Sequence, residues 1–280
     1  MKIKCKDKAE LIKYQIKDEI SKLDKAPKFV IVQVGDNDAS NRYVKWKIRD
    51  CEFVGIEVNL LKLPEDITEE MLIDHIVDKQ SNCDAIIVQL PLPKHINAEN
   101  VMRYISPWKD VDGLSENSVF EPCTPLGVMC ILEEILDLDL EGKDVVILGR
   151  SKLVGLPLAH MLQKKNATVS LCHSKTSSYS RVRLLKGAHV VISAVGKYMK
   201  DILPELNPNA YIIDVGINVD ADGSLVGDIP DDFRWHKTPV PGGVGLMTRV
   251  MLLKNILEAY KINHSIKEII NKTNTIERGC

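Results

Sequence analysis

DVVILGRSKLVGLPLAH, residues 144–160, is the stretch that decides the fold. Val145–Leu148 is an apolar run of strand length, Gly149 opens a turn, and the pattern predicts a helix from near Val154 with Gly155 at close-packing distance. A turn between a buried strand and a helix N-terminus presents main-chain N–H groups and a positive dipole end to an anion. The common dinucleotide fingerprint is GxGxxG; here Gly149 and Gly155 are six apart and the middle glycine is missing. Taken alone, the stretch also reads as a plain βα turn.

The following strand separates these readings. In an NAD site an Asp or Glu about 20 residues past the turn binds the ribose hydroxyls. Here the corresponding stretch, SLCHSKTSS (170–178), has no carboxylate and offers His173, Ser174 and Lys175 instead. With Arg150 and Ser151 these residues suit a 2′-phosphate, which a carboxylate would repel, so NADP is expected rather than NAD. Farther on, SAVGK (193–197) and DVGIN (214–218) each end a strand, placing Gly196, Gly216 and Ile217 at the carboxyl edge of the sheet, where ligands bind. PVPGGVGLMT (239–248) brings Gly242, Gly243 and Gly245 close to a helix start. Each cluster singly also reads as loop punctuation.

Upstream, the same alternation runs through a first block. Helices are predicted over 8–24, 39–51, 67–79 and 97–105, and strands over 28–35, 56–63 and 84–93. A long polar loop, 106–125, then leads to a helix over 125–136, and the alternation restarts. The fold class that follows is α/β with two domains, each a mainly parallel sheet flanked by helices, the second a Rossmann-like dinucleotide-binding domain. The division expected is 1–124 for the first domain and 125–249 for the second. The apolar helix that begins at 246 returns over 250–280 to the first domain, with fraying beyond about residue 265.

Composition narrows the function classes. Thirty-seven Lys and Arg against 39 Asp and Glu leave no basic footprint, and 5% aromatics leave little for base stacking, so no nucleic-acid partner is expected. Seven scattered cysteines form no CxxC pair, which argues for reduced thiols and against a metal site. No apolar run approaches the ~20 residues of a membrane span, and MKIKCKDKAELIKYQ has no signal core, so a cytoplasmic protein is expected, off the membrane.

One helix poses a question. In ASNRYVKWKIRDC (39–51), helical spacing buries Val44, Ile48 and Cys51 and puts Tyr43, Lys47 and Asp50 on the edge of that stripe, Asp50 able to reach water. Lys47 is thereby held near the core, either snorkelling along apolar surface or serving chemistry. Gln89 ends an aliphatic strand, where its carboxamide needs a partner, a backbone carbonyl being one option. Asp112, in KDVDG, reads as an Asp-Gly turn or as a ligand-facing carboxylate.

Taken together, the residues resemble the bifunctional methylenetetrahydrofolate dehydrogenase/methenyltetrahydrofolate cyclohydrolase family. The matching pieces run in order over roughly residues 30–250: SNRYVKWK, VQLPLP, KDVDG, PCTP, GRSKLVGLP, CHSKT, SAVGK, DVGIN and PVPGGVG followed by MT. The resemblance implies a first domain that binds tetrahydrofolate derivatives, a second that binds NADP, a cleft between them, and a homodimer. It implies that Lys47 is catalytic with Gln89 supporting it, that Tyr43 lies against the folate ring system, and that Asp112 hydrogen-bonds the pterin end. Leu90, Pro91, Pro241, Gly242, Gly243 and Gly245 join these as substrate-side residues. Hydride loss from 5,10-methylenetetrahydrofolate needs positioning, whereas hydrolysis of the methenyl cation to 10-formyltetrahydrofolate needs proton transfer. A lysine whose pKa is lowered by burial, beside an uncharged Gln89, suits that second step.

Three departures from the family pattern stand out. The loop after KDVDG is several residues shorter than the family's usual run into PCTP, Leu246 stands where the family has proline, and Tyr198 follows the strand-ending GK where proline is usual. Two rival readings remain at this level: another two-domain NADP enzyme, such as a shikimate-type dehydrogenase, and a non-catalytic nucleotide-binding protein of the same fold.

Overall fold

The structure, a computed structural model, describes residues 2–278 except 221 and 233, without the side chains of 39 and 267–278. The backbone separates into two compact units, Lys13–Glu121 with Leu252–Cys280, and Met1–Ile12 with Pro122–Met251. Two of their boundaries fall within helices α1 (Lys6–Ser21) and α8 (Val244–Arg278), the third between Glu121 and Pro122. The first residues count with the second unit because Ile3 N donates to the carbonyl of Lys237 at 2.9 Å.

The unit built on Lys13–Glu121 holds a three-stranded parallel sheet, β1 (Lys28–Val34) between β2 (Glu57–Leu63) and β3 (Ala85–Val88). Parallel neighbours need crossovers, supplied by α2 (Asp38–Val54) and α3 (Glu69–Gln80). KFVIVQV can be central because all but its first residue are buried. Both helices start on a side-chain cap, Asn37 accepting from Ser40 N and Thr68 from Met71 N, each worth about 1 kcal/mol. Leu72 and Ile76 of α3 share one core cluster with Ile86 of β3 and with Val101.

Three expectations change here. β3 stops at Val88 instead of running to 93, since Pro91 and Pro93 have no N–H for a ladder. Asp50, expected to reach water, is buried at 7%, because Lys13 of α1 brings its ammonium to within 3.5 Å. The helix predicted over 97–105 is shorter, α4 being Ala98–Met102, and the next residues close as three-residue turns.

The second unit carries a five-stranded parallel sheet of β4 (Asp144–Leu148), β5 (Thr168–Cys172), β6 (Val190–Ser193), β7 (Tyr211–Asp214) and β10 (His236–Lys237) in the order β10-β7-β6-β4-β5. α6 (Gly155–Lys164) and α7 (Ser178–Gly187) make the crossovers. The chain leaves β4 for β5 on one side and resumes at β6 on the other, so the loops after β4 and β6 diverge at a topological switch point. The helix expected over 125–136 is α5 (Cys123–Cys130) continued by a π-helical turn, Ile131–Ile135. A hairpin of β8 (Asn218–Val219) and β9 (Leu225–Val226) follows β7; neither it nor β10 was expected. Where fraying was expected beyond about 265, the backbone of α8 continues as helix to Arg278. No helix among those described is long and apolar enough to cross a membrane.

Candidate active site

Lys47 does not snorkel. On α2, Val44 and Cys51 turn into the core, Ile48 is half-buried, and Lys47 projects from the edge of that stripe onto polar partners. Its Nζ donates to Gln89 Oε1 at 3.2 Å and lies 3.5 Å from Asp112 Oδ2, the Lys47 side chain being 11% exposed and that of Asp112 19%. Gln89 sits immediately past β3, held to the sheet by its N–H on the carbonyl of Val32 at 2.8 Å. Its Nε2 donates to the carbonyl of Leu90 at 2.7 Å, which leaves Oε1 to accept from Lys47. The reversed amide would set NH2 against an ammonium and oxygen against oxygen.

Asp112 sits in the Asp-Gly turn that its sequence offered. Gly113 takes φ +70° in an Asp-Gly turn, and the carboxylate faces Lys47. The shortened loop behind it is tied at several points. Ser115 N donates to Asp110 Oδ2 at 2.8 Å, and Ser118 Oγ to the carbonyl of Asp110 at 3.0 Å. From α8, Asn255 Nδ2 donates to the carbonyls of Val111 at 2.9 Å and Glu121 at 3.3 Å. Burial pushes the Asp110 carboxyl up from the ordinary range. Tyr43, one turn before Lys47, is half-buried with its ring edge-on to Trp46 at 5.5 Å; Leu90 and the exposed Pro91 continue from Gln89.

In the other unit, the turn after β4 fits an anion. Gly149 has φ +118°, and a Cβ there would stand 2.5 Å from the carbonyl oxygen of Ala194, while one on Gly155 would stand 2.2 Å from the carbonyl oxygen of Gly149. Only glycine lets the turn close this tightly on the next loop and on its own helix. α6 starts at Val154 without a side-chain cap on its end, and Arg150 and Ser151 are exposed beside it. After β5, Ser174 and Lys175 are exposed, and His173 Nδ1 accepts from Lys175 N at 3.1 Å, bending the turn that carries them. The donor set thus suits a dinucleotide with an additional phosphate.

After β6 and β7, Gly196 and Ile217 are exposed at the carboxyl edge, while Gly216 is buried. Pro241 and Gly242 are exposed, Gly243 is buried, and Gly245 faces open space with nothing within 4 Å of a Cβ. Leu246 N donates to the carbonyl of Gly243 at 3.1 Å, a bond that the family's proline could not make.

Sequence reasoning missed a buried group here. Asp214 and Asp228 are buried at 1% and 0%; Asp214 Oδ1 accepts from Asp228 N at 2.9 Å and its Oδ2 lies 3.2 Å from the Lys237 ammonium. Burial raises the Asp214 carboxyl, against the opposing pull of its backbone donors and Lys237. The only signal in the sequence is an Asp at the end of an otherwise apolar strand, YIID.

Comparison with known proteins accords with this geometry. Residues 3–112 match the model of the tetrahydrofolate dehydrogenase/cyclohydrolase catalytic domain, and residues 122–264 that of the NAD(P)-binding domain of the same family. The bifunctional protein FolD of Thermodesulfovibrio yellowstonii is 39% identical over 273 residues, covering 91% of this chain and 94% of its own. Among solved structures, FolD methylenetetrahydrofolate dehydrogenase/cyclohydrolase from Campylobacter jejuni superposes with TM-score 0.87 at 37% identity, covering 94% and 99% of the two chains. The Trypanosoma brucei dehydrogenase-cyclohydrolase, solved with NADP and an inhibitor, gives 0.86 at 31% identity, covering 94% and 98%. With both domain models matched in order along one chain, this protein belongs to the tetrahydrofolate dehydrogenase/cyclohydrolase family.

Proposed function

We infer that this enzyme oxidises 5,10-methylenetetrahydrofolate to 5,10-methenyltetrahydrofolate with NADP and hydrolyses the product to 10-formyltetrahydrofolate. The observation that carries the reading is the meeting of Lys47, Gln89 and Asp112 within 3.5 Å, in the part of the chain matching the family's catalytic domain. The division proposed is a folate-binding catalytic domain over 1–124 joined by 250–280, and an NADP-binding domain over 125–249.

NADP would be held at its phosphates by the Gly149–Gly155 turn with Arg150, Ser151, His173, Ser174 and Lys175, and along its nicotinamide half by Gly196, Gly216 and Ile217. When bound it supplies the hydride acceptor. Tyr43 orients the folate ring system and Asp112 its pterin end, with Leu90, Pro91 and Pro241–Gly245 beside them. In hydrolysis, Lys47 in its neutral amine form takes the proton of the water that adds to the methenyl carbon and passes it toward the ring nitrogen as the carbon–nitrogen bond breaks. Gln89 holds Lys47 Nζ in place. The environment differs from the one read in the sequence, because Asp112 adds a carboxylate to the uncharged Gln89.

The test is a pair of assays, NADPH formation from methylenetetrahydrofolate and decay of methenyltetrahydrofolate absorbance, on the wild type and Lys47→Met. The reading stands if the wild type shows both activities and the variant loses hydrolysis; undiminished hydrolysis in the variant removes Lys47 from its role. A wild type without NADP-dependent oxidation favours the non-catalytic or other-dehydrogenase readings. The same proposal carries a cytoplasmic homodimer with no nucleic-acid partner. Buried thiols at Cys5, Cys51, Cys83 and Cys172 support a reducing compartment, and sedimentation velocity tests the dimer.

A further inference from the structure

The loops after β6 and β7 share an anchor that comes from neither. Asp228, two residues past β9, is 0% exposed, and its carboxylate is surrounded by donors. Oδ2 accepts from Ser193 Oγ at 2.9 Å, Val195 N at 2.9 Å and Gly196 N at 3.2 Å. Oδ1 accepts from Asn218 Nδ2 at 3.0 Å. The main chain of Asp228 is also engaged, its N–H on Asp214 Oδ1 and its carbonyl accepting from Met199 N at 2.7 Å. A Cβ on Gly216 would stand 1.9 Å from Oδ1, so the absence of a side chain there is what admits the carboxylate.

We propose that Asp228 is the positioning residue of the nicotinamide half of the NADP site: from below, it fixes the Val195–Gly196 turn and the Gly216–Asn218 turn whose outer surfaces receive the cofactor. This rests on the assignment of Gly196, Gly216 and Ile217 to that cofactor. Successive main-chain N–H groups form an anion-binding nest, and here the anion is supplied internally. The amides of Val195 and Gly196 are spent on Asp228, so this loop offers no phosphate site. Phosphate binding is left to the turn after β4, where α6 has no side-chain cap. The rim after β6 and β7 meets the cofactor instead through exposed main chain at Gly196 and the side chain of Ile217, a surface suited to a flat ring.

Only a carboxylate satisfies this position. Donors approach both oxygens, so an amide in either orientation would set its NH2 against an N–H or O–H donor. Asp228→Asn should therefore raise the KM for NADP by about tenfold or more, the scale of one lost charge-assisted hydrogen bond. Decay of methenyltetrahydrofolate, which needs no NADP, should stay within about twofold of wild type. Asn218→Ala, which keeps the carboxylate and removes one clamp, should raise the same KM by about threefold and serves if the first variant does not fold. The binding of NADPH, followed by its fluorescence, should weaken in parallel with KM. An unchanged KM for NADP in a folded variant, or equal loss of hydrolysis and oxidation, overturns the proposal. A wild type inactive with NADP would instead overturn the functional reading on which it rests.

Discussion

Lys47 Nζ and Asp112 Oδ2 lie 3.5 Å apart, one on the helix after β1 and the other in the loop beyond β3, with Gln89 completing the group. Opposite charges this close and this sheltered are worth more than a surface pair, whose median is about 0–1 kcal/mol. The roles proposed for the two residues are nevertheless separable. Lys47→Met removes the proposed proton carrier and should lower cyclohydrolase kcat by roughly 10²–10⁴-fold, with folate still bound. Asp112→Asn keeps the shape and removes the charge, so the folate KM should rise about tenfold in both assays. Steady-state kinetics of the two activities measure the split; identical behaviour of the two variants would contradict it.

Cofactor choice is expected to rest on Arg150. It is exposed beside the tight Gly149 turn, and the next strand is followed by His173, Ser174 and Lys175 with no carboxylate to favour a free ribose. Arg150→Ala should raise the KM for NADP by about 10- to 100-fold through loss of charge-assisted bonds to the 2′-phosphate. The KM for NAD should stay nearly constant. The ratio of the two KM values is the readout, and parallel changes in both would move Arg150 away from that phosphate.

The fold was largely legible because strand and helix alternate with hydrophobic periods that few other architectures share. VVIL and KFVIVQV are the buried central strands they appear to be. The Lys47, Gln89 and Asp112 group was legible only through the ordered resemblance, since a half-buried lysine has an ordinary explanation at each position taken singly. Asp228 was not legible. Its meaning lies in Val195, Gly196 and Asn218, residues up to 33 positions away, and no local pattern distinguishes it from the exposed aspartates nearby. Asp50 failed for the same reason, its burial being set by Lys13 on another helix.

That Lys13–Asp50 contact yields a stability prediction. The side chains are 18% and 10% exposed, so truncating the lysine leaves a carboxylate with little water. Lys13→Met should destabilise by about 2–4 kcal/mol, near the lower end for a broken buried pair. Lys13→Met with Asp50→Leu should recover most of that loss, because an apolar pair needs no compensation. Urea midpoints of the three proteins check it.

Asp110 supplies the pH dependence. Its carboxyl is raised chiefly by burial, against the opposing bonds from Ser115 and Leu114, and its Oδ1 makes no hydrogen bond. A group whose folded pKa is raised binds its proton more readily when folded. Its contribution to stability is therefore full below the unfolded value of about 3.9 and is lost as pH rises through the folded value. Asparagine does not titrate, and its amide oxygen can still accept from Ser115 N. The stability of Asp110→Asn minus that of wild type should accordingly become more positive as pH rises above about 4, then level off above the folded value. Urea unfolding at intervals across that window measures the difference; a constant or falling difference would show that Asp110 is not held above its ordinary range.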